Sequence, residues 1–399
     1  MPMQPRNRWT FARVWMIAAL LLGASAAREA LAVTNPVLNL NLFFQNDLRA
    51  MAMGNAFAAV ARGEDALLYN PAGLVLYDFD LKAEYSVGFQ GESGTFAQDT
   101  YALMGGTGVS APQMQTYLTK YQGTTQRYNY QTFGSGVANL GYLNFGFGAG
   151  SLDSHRYAFT FGALVPGNGL TITDLNAKMQ TGGVAFKLGN GKALLGIAAK
   201  SVDYTNNTAF LDYTLIGNSL NPTFTATQYA PAGLYDLGLL YRVEFWPSMR
   251  PQLGITAFNV GGTTLKGPTP STQAFDVPAS YNIGLSLGPE TPVVHWLLSI
   301  EYEDVTDALR VWDGTVNQPR SATQRTHAGL EIGLIRTPTG NNMFNLRAGT
   351  NGSHLTYGWE VNLWVLRLLY ATGKQDLGYN GKPDVFNFTG YQVGIALAW

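Results

Sequence analysis

The last eight residues, 392–399 (QVGIALAW), constrain the fold of this chain more than any other stretch. Polar or small residues alternate with apolar ones, and the chain stops on the aromatic Trp399. A β-strand with this pattern can face lipid on one side and an enclosed interior on the other. Aromatic rings prefer the boundary between membrane and water, which suits a ring at this position. The pattern therefore predicts a strand of a transmembrane β-barrel.

The same eight residues resemble the C-terminal insertion signal of bacterial outer-membrane barrels. That signal has a polar residue, a glycine two positions later and hydrophobic residues at the chain end; here these are Gln392, Gly394, Leu397 and Trp399. Trp399 stands where Phe is more usual. The resemblance implies outer-membrane lipid and the barrel-assembly machinery as partners, and the bacterial outer membrane as the location.

The amino end predicts a secretory signal peptide over residues 1–32. Arginines at 6, 8 and 13 precede an apolar run over 14–22, and two small-x-small cleavage sites follow at 24–26 and 30–32. The run is too short to span a bilayer as a helix, so a helical anchor is the less favoured alternative. The sequence has no Cys, which excludes both a lipid-anchored cysteine and a disulfide.

Composition narrows the class further. The chain is 46% hydrophobic but only 13% charged, and its formal net charge is −1. After residue 32 there is no apolar run of helix-spanning length, which disfavours a helical membrane protein. Nucleic-acid binding needs concentrated positive charge, so no nucleic-acid partner is expected.

Residues 79–399 divide into segments of about ten residues that alternate with period two and are separated by turns. We predict an all-β fold, a transmembrane antiparallel barrel of about fourteen strands, an even number as in bacterial single-chain barrels. The predicted strands are 79–90, 136–149, 156–165, 180–188, 193–205, 232–244, 251–261, 279–288, 293–304, 325–335, 343–352, 355–363, 364–373 and 390–399.

Connections between these strands alternate between short and long. Short ones such as 189–192 predict periplasmic turns, and long ones such as 91–135 predict extracellular loops. Within that first loop, residues 112–122 predict a short helix with Met114, Tyr117, Leu118 and Tyr121 on one face. Loops of this length are usually functional, in ligand capture or in docking a partner.

Four charged residues fall on the polar faces of four successive predicted strands: Glu331, Arg347, Glu360 and Arg367. Facing lipid, each would cost about 2–4 kcal/mol near the bilayer midplane. We expect them to pair inside the lumen. An ion-pair ladder that braces the wall is the favoured interpretation, and contact with substrate is the alternative.

Residues 33–78, between the signal peptide and the first strand, lack the strand pattern and predict a plug in the lumen. Asn70-Pro71 favours an extended residue followed by a turn, and Gly73 permits a positive φ. The segment 48–74 resembles the N-terminal hatch of FadL-type outer-membrane transporters and their PorV-like relatives. There, a Gly/Ala-rich stretch leads through an acidic element to an Asn-Pro-Ala-Gly turn, here Asn70, Pro71, Ala72 and Gly73.

The resemblance departs at Asn55, where Gly is common, and at Arg62-Gly63 before the acidic pair. It implies a fourteen-stranded barrel with a small hatch, and passive uptake of hydrophobic small molecules such as long-chain fatty acids or aromatic hydrocarbons. It makes residues 70–73 the hinge of the hatch. The candidate ligand contacts are Phe43, Phe44, Phe57, Leu67, Leu68 and Tyr69; their alternative role is packing of the plug against the wall.

Two other functions stay open. The PorV-like branch implies a barrel that serves a secretion or surface-assembly system, with secretion components as partners. A lipid-modifying barrel enzyme is the remote alternative: residues 284–288 match G-x-S-x-G, but that motif needs a strand-to-helix turn and here falls inside a strand. The four histidines lack metal-ligand spacing. We therefore expect no enzyme activity, no cofactor and no metal.

Overall fold

The computed structural model of this chain describes residues 35–39, 45, 47–75, 81–92, 95–96, 98–99, 111–140, 143–159, 169–188, 191–212, 225–244, 246–289, 294–312, 315–336, 342–379 and 381–398. The predicted signal peptide (residues 1–32) and three candidate site residues, Phe43, Phe44 and Trp399, lie outside the described residues.

Fourteen strands of the described chain form the barrel. They are β1 (Leu81–Gly91), β2 (Thr125–Asn139), β3 (Leu143–Phe159), β4 (Gly169–Leu188), β5 (Ala193–Asp212), β6 (Ala232–Arg242), β7 (Gln252–Phe258), β8 (Ser280–Leu287), β9 (Val294–Tyr302), β10 (Thr326–Arg336), β11 (Asn342–Asn351), β12 (His354–Leu363), β13 (Leu366–Asp376) and β14 (Val385–Ala398). Each pairs antiparallel with its chain neighbours, and β1 pairs with β14 from Lys82 opposite Ala398 to Gly91 opposite Thr389. The sheet is closed, as predicted.

Side chains alternate along these strands between a solvent- or lipid-exposed outer face and a buried inner face. Outward positions carry large apolar residues, among them Tyr85, Phe147, Ile197, Tyr357 and Ile395. Inward neighbours such as Glu84 and Ser86 are buried and polar. An apolar exterior around a partly polar interior is the arrangement of a transmembrane barrel.

Two predicted strands, 136–149 and 156–165, are wrong in their boundaries. The structure has β2 over 125–139 and β3 over 143–159, and β4 and β5 run further than predicted, from 169 and to 212. Glycine alternates with larger residues on both sides of Leu140, so the period-two pattern passes over that turn. The ends of β2–β5 carry polar residues mixed into both faces, a pattern that resembles a loop. The first loop is correspondingly shorter than 91–135.

Strands β3, β4 and β5 have 17, 20 and 20 residues, against 7 to 11 in β6–β13. The barrel wall is therefore tallest on this side. The predicted first-loop helix is confirmed as α3 (Ala111–Tyr121). Its Tyr117, Leu118 and Tyr121 pack with Phe96 and Phe159, and Phe159 belongs to the same outward-facing set as Phe147. The helix thus covers apolar residues on the outside of the tall wall.

Smaller elements complete the described structure. Two short helices, α1 (Leu48–Ala52) and α2 (Ala66–Tyr69), and two 3₁₀ turns, Gly63–Asp65 and Pro71–Leu74, precede the barrel. Short strands occur in the long connections: Thr225–Gln228, Thr263–Leu265 paired with Phe275–Val277, and Val311–Trp312 paired with Asn317–Gln318. Among the described residues, no helix is long and apolar enough to cross a membrane.

Candidate functional site

Residues 47–75, called the hatch from here on, form a compact coil inside the barrel. Helix α1 begins because the Asp47 carboxylate accepts hydrogen bonds from the backbone N–H groups of Arg49 (2.8 Å) and Ala50 (3.2 Å), which have no partner within the helix. The helix ends where Gly54 and Asn55 both take positive φ angles. These turns fold the segment back on itself within the lumen.

The predicted turn at residues 70–73 lies at the centre of the hatch. The side-chain oxygen of Asn70 accepts from Ala72 N–H (3.1 Å). Its amide nitrogen donates to the carbonyls of Ala58 (2.7 Å) and Leu239 (3.4 Å). Asn70 therefore caps the 3₁₀ turn that Pro71 begins, ties it to the first half of the hatch and ties both to β6.

The described candidate ligand contacts, Phe57, Leu67, Leu68 and Tyr69, are all buried in one apolar cluster. Phe57 and Tyr69 meet edge to face with ring centroids 4.9 Å apart. In this closed arrangement the four side chains pack the hatch against itself and against the wall. Any ligand contact by them requires the hatch to move.

Ten inward glycines let the hatch lie directly on the barrel wall; we call them the glycine belt. A Cβ built on any of them would fall within 3.2 Å of a hatch atom. They are Gly146, Gly183, Gly196, Gly238, Gly254, Gly284, Gly329, Gly349, Gly358 and Gly390, one on each of ten barrel strands. At six of these glycines the close hatch atom is a backbone atom or a Cβ under 3.0 Å away, so the position needs the absence of a side chain: Gly196, Gly238, Gly254, Gly329, Gly349 and Gly358. At Gly146, Gly183 and Gly390 it is the end of a leucine side chain, and at Gly284 the contact is 3.2 Å.

From its first residues to its last, the hatch contacts the strands in the reverse of their chain order, from β14 back to β3. Leu74 meets Gly146 and Gly183 on β3 and β4, Ala59 meets Gly284 on β8, and Leu48 meets Gly390 on β14. The hatch therefore winds around most of the inner circumference instead of crossing the lumen as a bar. Close packing along this path attaches the hatch to most of the barrel wall.

One side of the lumen, the charged wall, holds the predicted ladder. The structure brings all four residues together: Arg347 bonds Glu331 (Nε to Oε2, 2.7 Å) and Glu360, and Arg367 bonds Glu360 (Nε to Oε1, 3.4 Å). Two further wall carboxylates extend this set, Glu84 and Glu301. All six side chains are at least nine-tenths buried.

The hatch joins this ladder through its own charges. Arg49 bonds Glu331 (3.1 Å) and Asp65 (3.2 Å), while Glu64 lies 3.7 Å from the Arg367 guanidinium. The result is a chain of alternating charges that runs from the hatch along the wall and back to the hatch. Buried charges of this kind are tolerable only when each has a partner, so the hatch and wall depend on each other.

Hydrogen bonds between two wall residues and the hatch backbone strengthen the same side. The Glu301 carboxylate accepts from the backbone N–H groups of Phe57 and Ala58, both at 2.6 Å. His327 bonds the Gly54 carbonyl (Nδ1 to O, 2.8 Å) and faces Glu303 (3.3 Å). Directional bonds of this type fix the position of the hatch as well as its energy.

Carboxylates outnumber arginines around Arg49, and this excess affects the pKa of Asp65. Burial, and then the neighbouring carboxylates of Asp47 and Glu64, raise the pKa of Asp65 to about 7, although Arg367 and Arg49 act in the opposite direction. Asp65 thus carries a proton at mildly acidic pH while it is docked.

The opposite side of the lumen, the apolar wall, belongs to β2 and β4–β6. Its inward residues are Phe133, Val137, Ala177, Met179, Ala185, Val202, Tyr204, Ala232 and Leu234, and they share one cluster with the hatch. The buried ion pair of Lys200 and Asp236 lies among them and neutralises itself. Here the hatch meets the barrel mainly through van der Waals contact.

The apolar wall continues to the long-loop end of the barrel. Tyr204, Tyr229 and Phe275 form an aromatic group with ring centroids 5.4 to 6.4 Å apart. Leu38 packs against the same cluster, and its N–H donates to the Asp276 carbonyl (2.8 Å). Residues 35–38, which precede the hatch in the chain, therefore lie against the connection that contains Phe275 and Asp276.

A small cavity lies between the hatch and the loop end of the charged wall. Its volume is about 20 Å³, and its lining includes Asn55, Tyr69, Glu301 and His327. That is room for about one water molecule, far below the 300–1,000 Å³ of typical ligand sites. A cavity of this size is too small for a hydrocarbon ligand.

Sequence reasoning missed several residues that position the hatch: Arg49, Glu84, Glu301, His327 and the glycine belt. A signal for the belt was present, because Gly284, Gly329, Gly349 and Gly358 occupy inward positions of predicted strands. Of the described insertion-signal residues, Leu397 points outward. Gln392 instead contacts the hatch, since its side-chain oxygen accepts from Leu48 N–H (3.4 Å).

Comparison with known proteins leaves the sequence without a match among family models or among curated proteins. Solved structures similar in fold include the toluene transporters TbuX of Ralstonia pickettii (13% identity, TM-score 0.48, 92% of this chain and 99% of that one) and TodX of Pseudomonas putida (15%, 0.44, 88% and 96%). A Pseudomonas aeruginosa FadL homologue is also similar (12%, 0.46, 92% and 99%).

These similarities have TM-scores below 0.5 at 12 to 15% identity. The fold rests on the strand pairing and closure of the chain itself.

Proposed function

We propose that this chain is a bacterial outer-membrane channel for passive uptake of hydrophobic small molecules, long-chain fatty acids or aromatic hydrocarbons, and that the hatch gates it. The observation that carries this proposal is the apolar wall. It runs from the aromatic group of Tyr204, Tyr229 and Phe275 at the loop end to Val137 and Ala185 near the short-turn end. A hydrophobic solute can partition along such a surface without meeting an unpaired charge.

The unequal attachment of the hatch supports a gating role. On the charged wall it is held by ion pairs and short hydrogen bonds, whereas on the apolar wall it is held by packing that a hydrophobic ligand can replace. Residues 70–73 lie between Gly196 of β5 and Gly238 of β6, on the apolar wall. A hinge at this position lets Leu67, Leu68 and Tyr69 yield to ligand while Arg49 stays bound.

Uptake measurements test this function directly. We expect a deletion strain to take up less labelled oleate or labelled toluene than its parent, and the intact gene to restore uptake. No energy source is needed, because ligand moves down its own gradient; uptake should therefore persist when cells are de-energised. Unchanged uptake of both compounds in the deletion strain would contradict the proposal.

A role in a secretion or surface-assembly system is the second candidate, and one observation favours it. The cavity beside the hatch has a volume of only about 20 Å³, too little for a fatty acid or an aromatic hydrocarbon. The loops are also held in place: Asn317 bonds Val37 N–H (3.0 Å), and Asp276 bonds Asn35 (3.2 Å). Co-purification of secretion components with the barrel, together with normal uptake, would favour this role.

A further inference from the structure

The barrel closes where β14 meets β1, which we call the seam. It joins the first and last strands of the barrel, about 300 residues apart, over ten residue pairs. An open seam would leave two strand edges with unpaired backbone groups in hydrocarbon, which lipid cannot satisfy. The side chains that hold the seam closed therefore contribute to formation of the barrel.

One ion pair reaches across the seam. Arg367 lies on β13, passes over the inner face of β14 and bonds Glu84 on β1, at 3.0 and 3.2 Å to the two carboxylate oxygens. Gly394 of β14 lies beneath this bridge. A Cβ at that position would stand 3.1 Å from Glu84 Oε1 and 3.6 Å from Arg367 Cβ. The glycine leaves room for the bridge.

The hatch is bound to the same place. Glu64 lies 3.7 Å from the Arg367 guanidinium. Gln392 of β14 accepts from Leu48 N–H (3.4 Å) and donates to the Asp47 carboxylate (3.5 Å). The Leu48 side chain occupies the space above Gly390, where a Cβ would be 2.7 Å from its Cδ2. Hatch residues thus contact β13 and β14 directly, and β1 through Arg367.

We propose that the hatch is an internal clamp for the seam, so that hatch docking and barrel closure form one cooperative unit. Undocking leaves Arg367 without Glu64 and exposes the polar atoms of Gln392, while an open seam removes the surface on which Leu48 packs. Each event weakens the other. The clamp gives Gln392 and Gly394, residues of the insertion signal, a second role, and it operates whatever the barrel carries.

The absence of Cys in the chain allows a direct assay. Val87 and Val393 are opposite each other across the seam, and Leu330 and Ala348 are opposite each other on β10 and β11. A cysteine pair at the first position reports closure, and a pair at the second reports the folded wall away from the seam. The fraction crosslinked in isolated outer membranes is the measurement.

Hatch substitutions that leave every strand unchanged test the clamp in the full chain. The double variant Leu48→Ala/Glu64→Gln removes two hatch contacts at the seam. Leu74→Ala is the matched control, because Leu74 is an equally buried hatch leucine that packs on β3 and β4. We expect crosslinking of the seam pair to fall severalfold in the double variant and to stay at the parent level in the control. The reference pair should stay unchanged in both.

Equal seam crosslinking in the parent and the double variant would overturn the proposal, and so would an equal loss in the control. If the double variant loses the reference pair as well, the two single leucine variants decide. Leu48→Ala removes the hatch contact with β14, whereas Leu74→Ala removes the equivalent contact with β3 and β4. The clamp requires that Leu48→Ala weaken seam crosslinking while Leu74→Ala leaves it at the parent level.

Discussion

The two sides of the lumen bind one plug by different physics. On the charged wall, Arg347 and Arg367 alternate with carboxylates, and Glu301 receives two hatch N–H groups. On the apolar wall, residues such as Ala177 and Val202 pack against the hatch without charge. Ion pairs and hydrogen bonds fix position, while apolar contact is non-directional and can be exchanged for contact with another apolar molecule.

This difference explains how a hatch can be both firmly attached and able to open. A plug held by packing alone would be displaced by detergent-like ligands, and one held by charges on all sides would stay shut. In this barrel the ion pairs and hydrogen bonds of the charged wall anchor the hatch. The packing contacts of the apolar wall can be replaced by contacts with an apolar ligand. The following changes test this difference between the walls, from the largest expected effect to the smallest.

Arg347→Met should produce the largest loss of stability. It leaves Glu331 and Glu360 buried without their shared partner, and removal of one member of such a network costs about 3–5 kcal/mol. Unfolding by denaturant in detergent micelles measures the effect. Lys192→Met, which removes an exposed pair with Glu244, is the control and should change stability by less than about 1 kcal/mol. Similar values for the two variants would contradict the charged wall as the anchor.

Gly196→Ala should displace the hatch from the apolar wall. Its Cβ would strike the backbone of Pro71 and Ala72, which cannot move aside as a flexible side chain could. Overpacking of this kind costs about 1–3 kcal/mol, and we expect an ion conductance that the parent lacks. Planar-bilayer recordings measure it. Gly233→Ala, on β6 with no atom within 4 Å, should behave like the parent.

Val202→Thr should reduce uptake more than it reduces stability. The substitution keeps the shape of the side chain but puts a hydroxyl on the apolar wall, at a cost of about 1–3 kcal/mol if that group finds no partner. An apolar ligand gains less from this surface, so oleate or toluene uptake should fall severalfold. Ile197→Thr, on the exterior of the same strand, controls for strand propensity. Normal uptake by Val202→Thr would argue against ligand passage along this wall.

Asp65→Asn should give the smallest effect, a change in pH dependence. The folded chain keeps the Asp65 proton up to about pH 7, whereas the unfolded chain loses it near pH 3.8. Between these values the folded state binds more protons, so this group makes stability fall as pH rises from about 4 to about 7. Asparagine cannot titrate, so the variant should show a flatter profile across this window. Asp203→Asn, on an exposed position of β5, should keep the parental slope.

The strand count could be predicted because a barrel wall repeats one simple constraint. Every strand alternates outward apolar residues with inward ones, and β8 through β12 show this pattern with boundaries close to those observed. The prediction failed around Leu140 and along the upper parts of β2–β5. There the strands leave the apolar band, and the outer face no longer needs to be hydrophobic.

The candidate site was only partly predictable. Glu331, Arg347, Glu360 and Arg367 could be found because charge on the inner face of a membrane strand is unusual. Arg49 and Asp65 could not be assigned to the same network, because no periodic pattern relates a short coil to strands some 280 residues later. The close approach of Met53 to Gly329 was equally hidden.

The sequence by itself determined the class of fold, since a period of two and an apolar outer face leave a closed barrel as the structure that satisfies every backbone group in lipid. It also set which residues could be charged inside. Only the tertiary structure decided which wall holds the hatch by charge and which by packing. That choice depends on how a winding segment of 29 residues meets ten different strands, and contacts at that range leave no periodic trace along the chain.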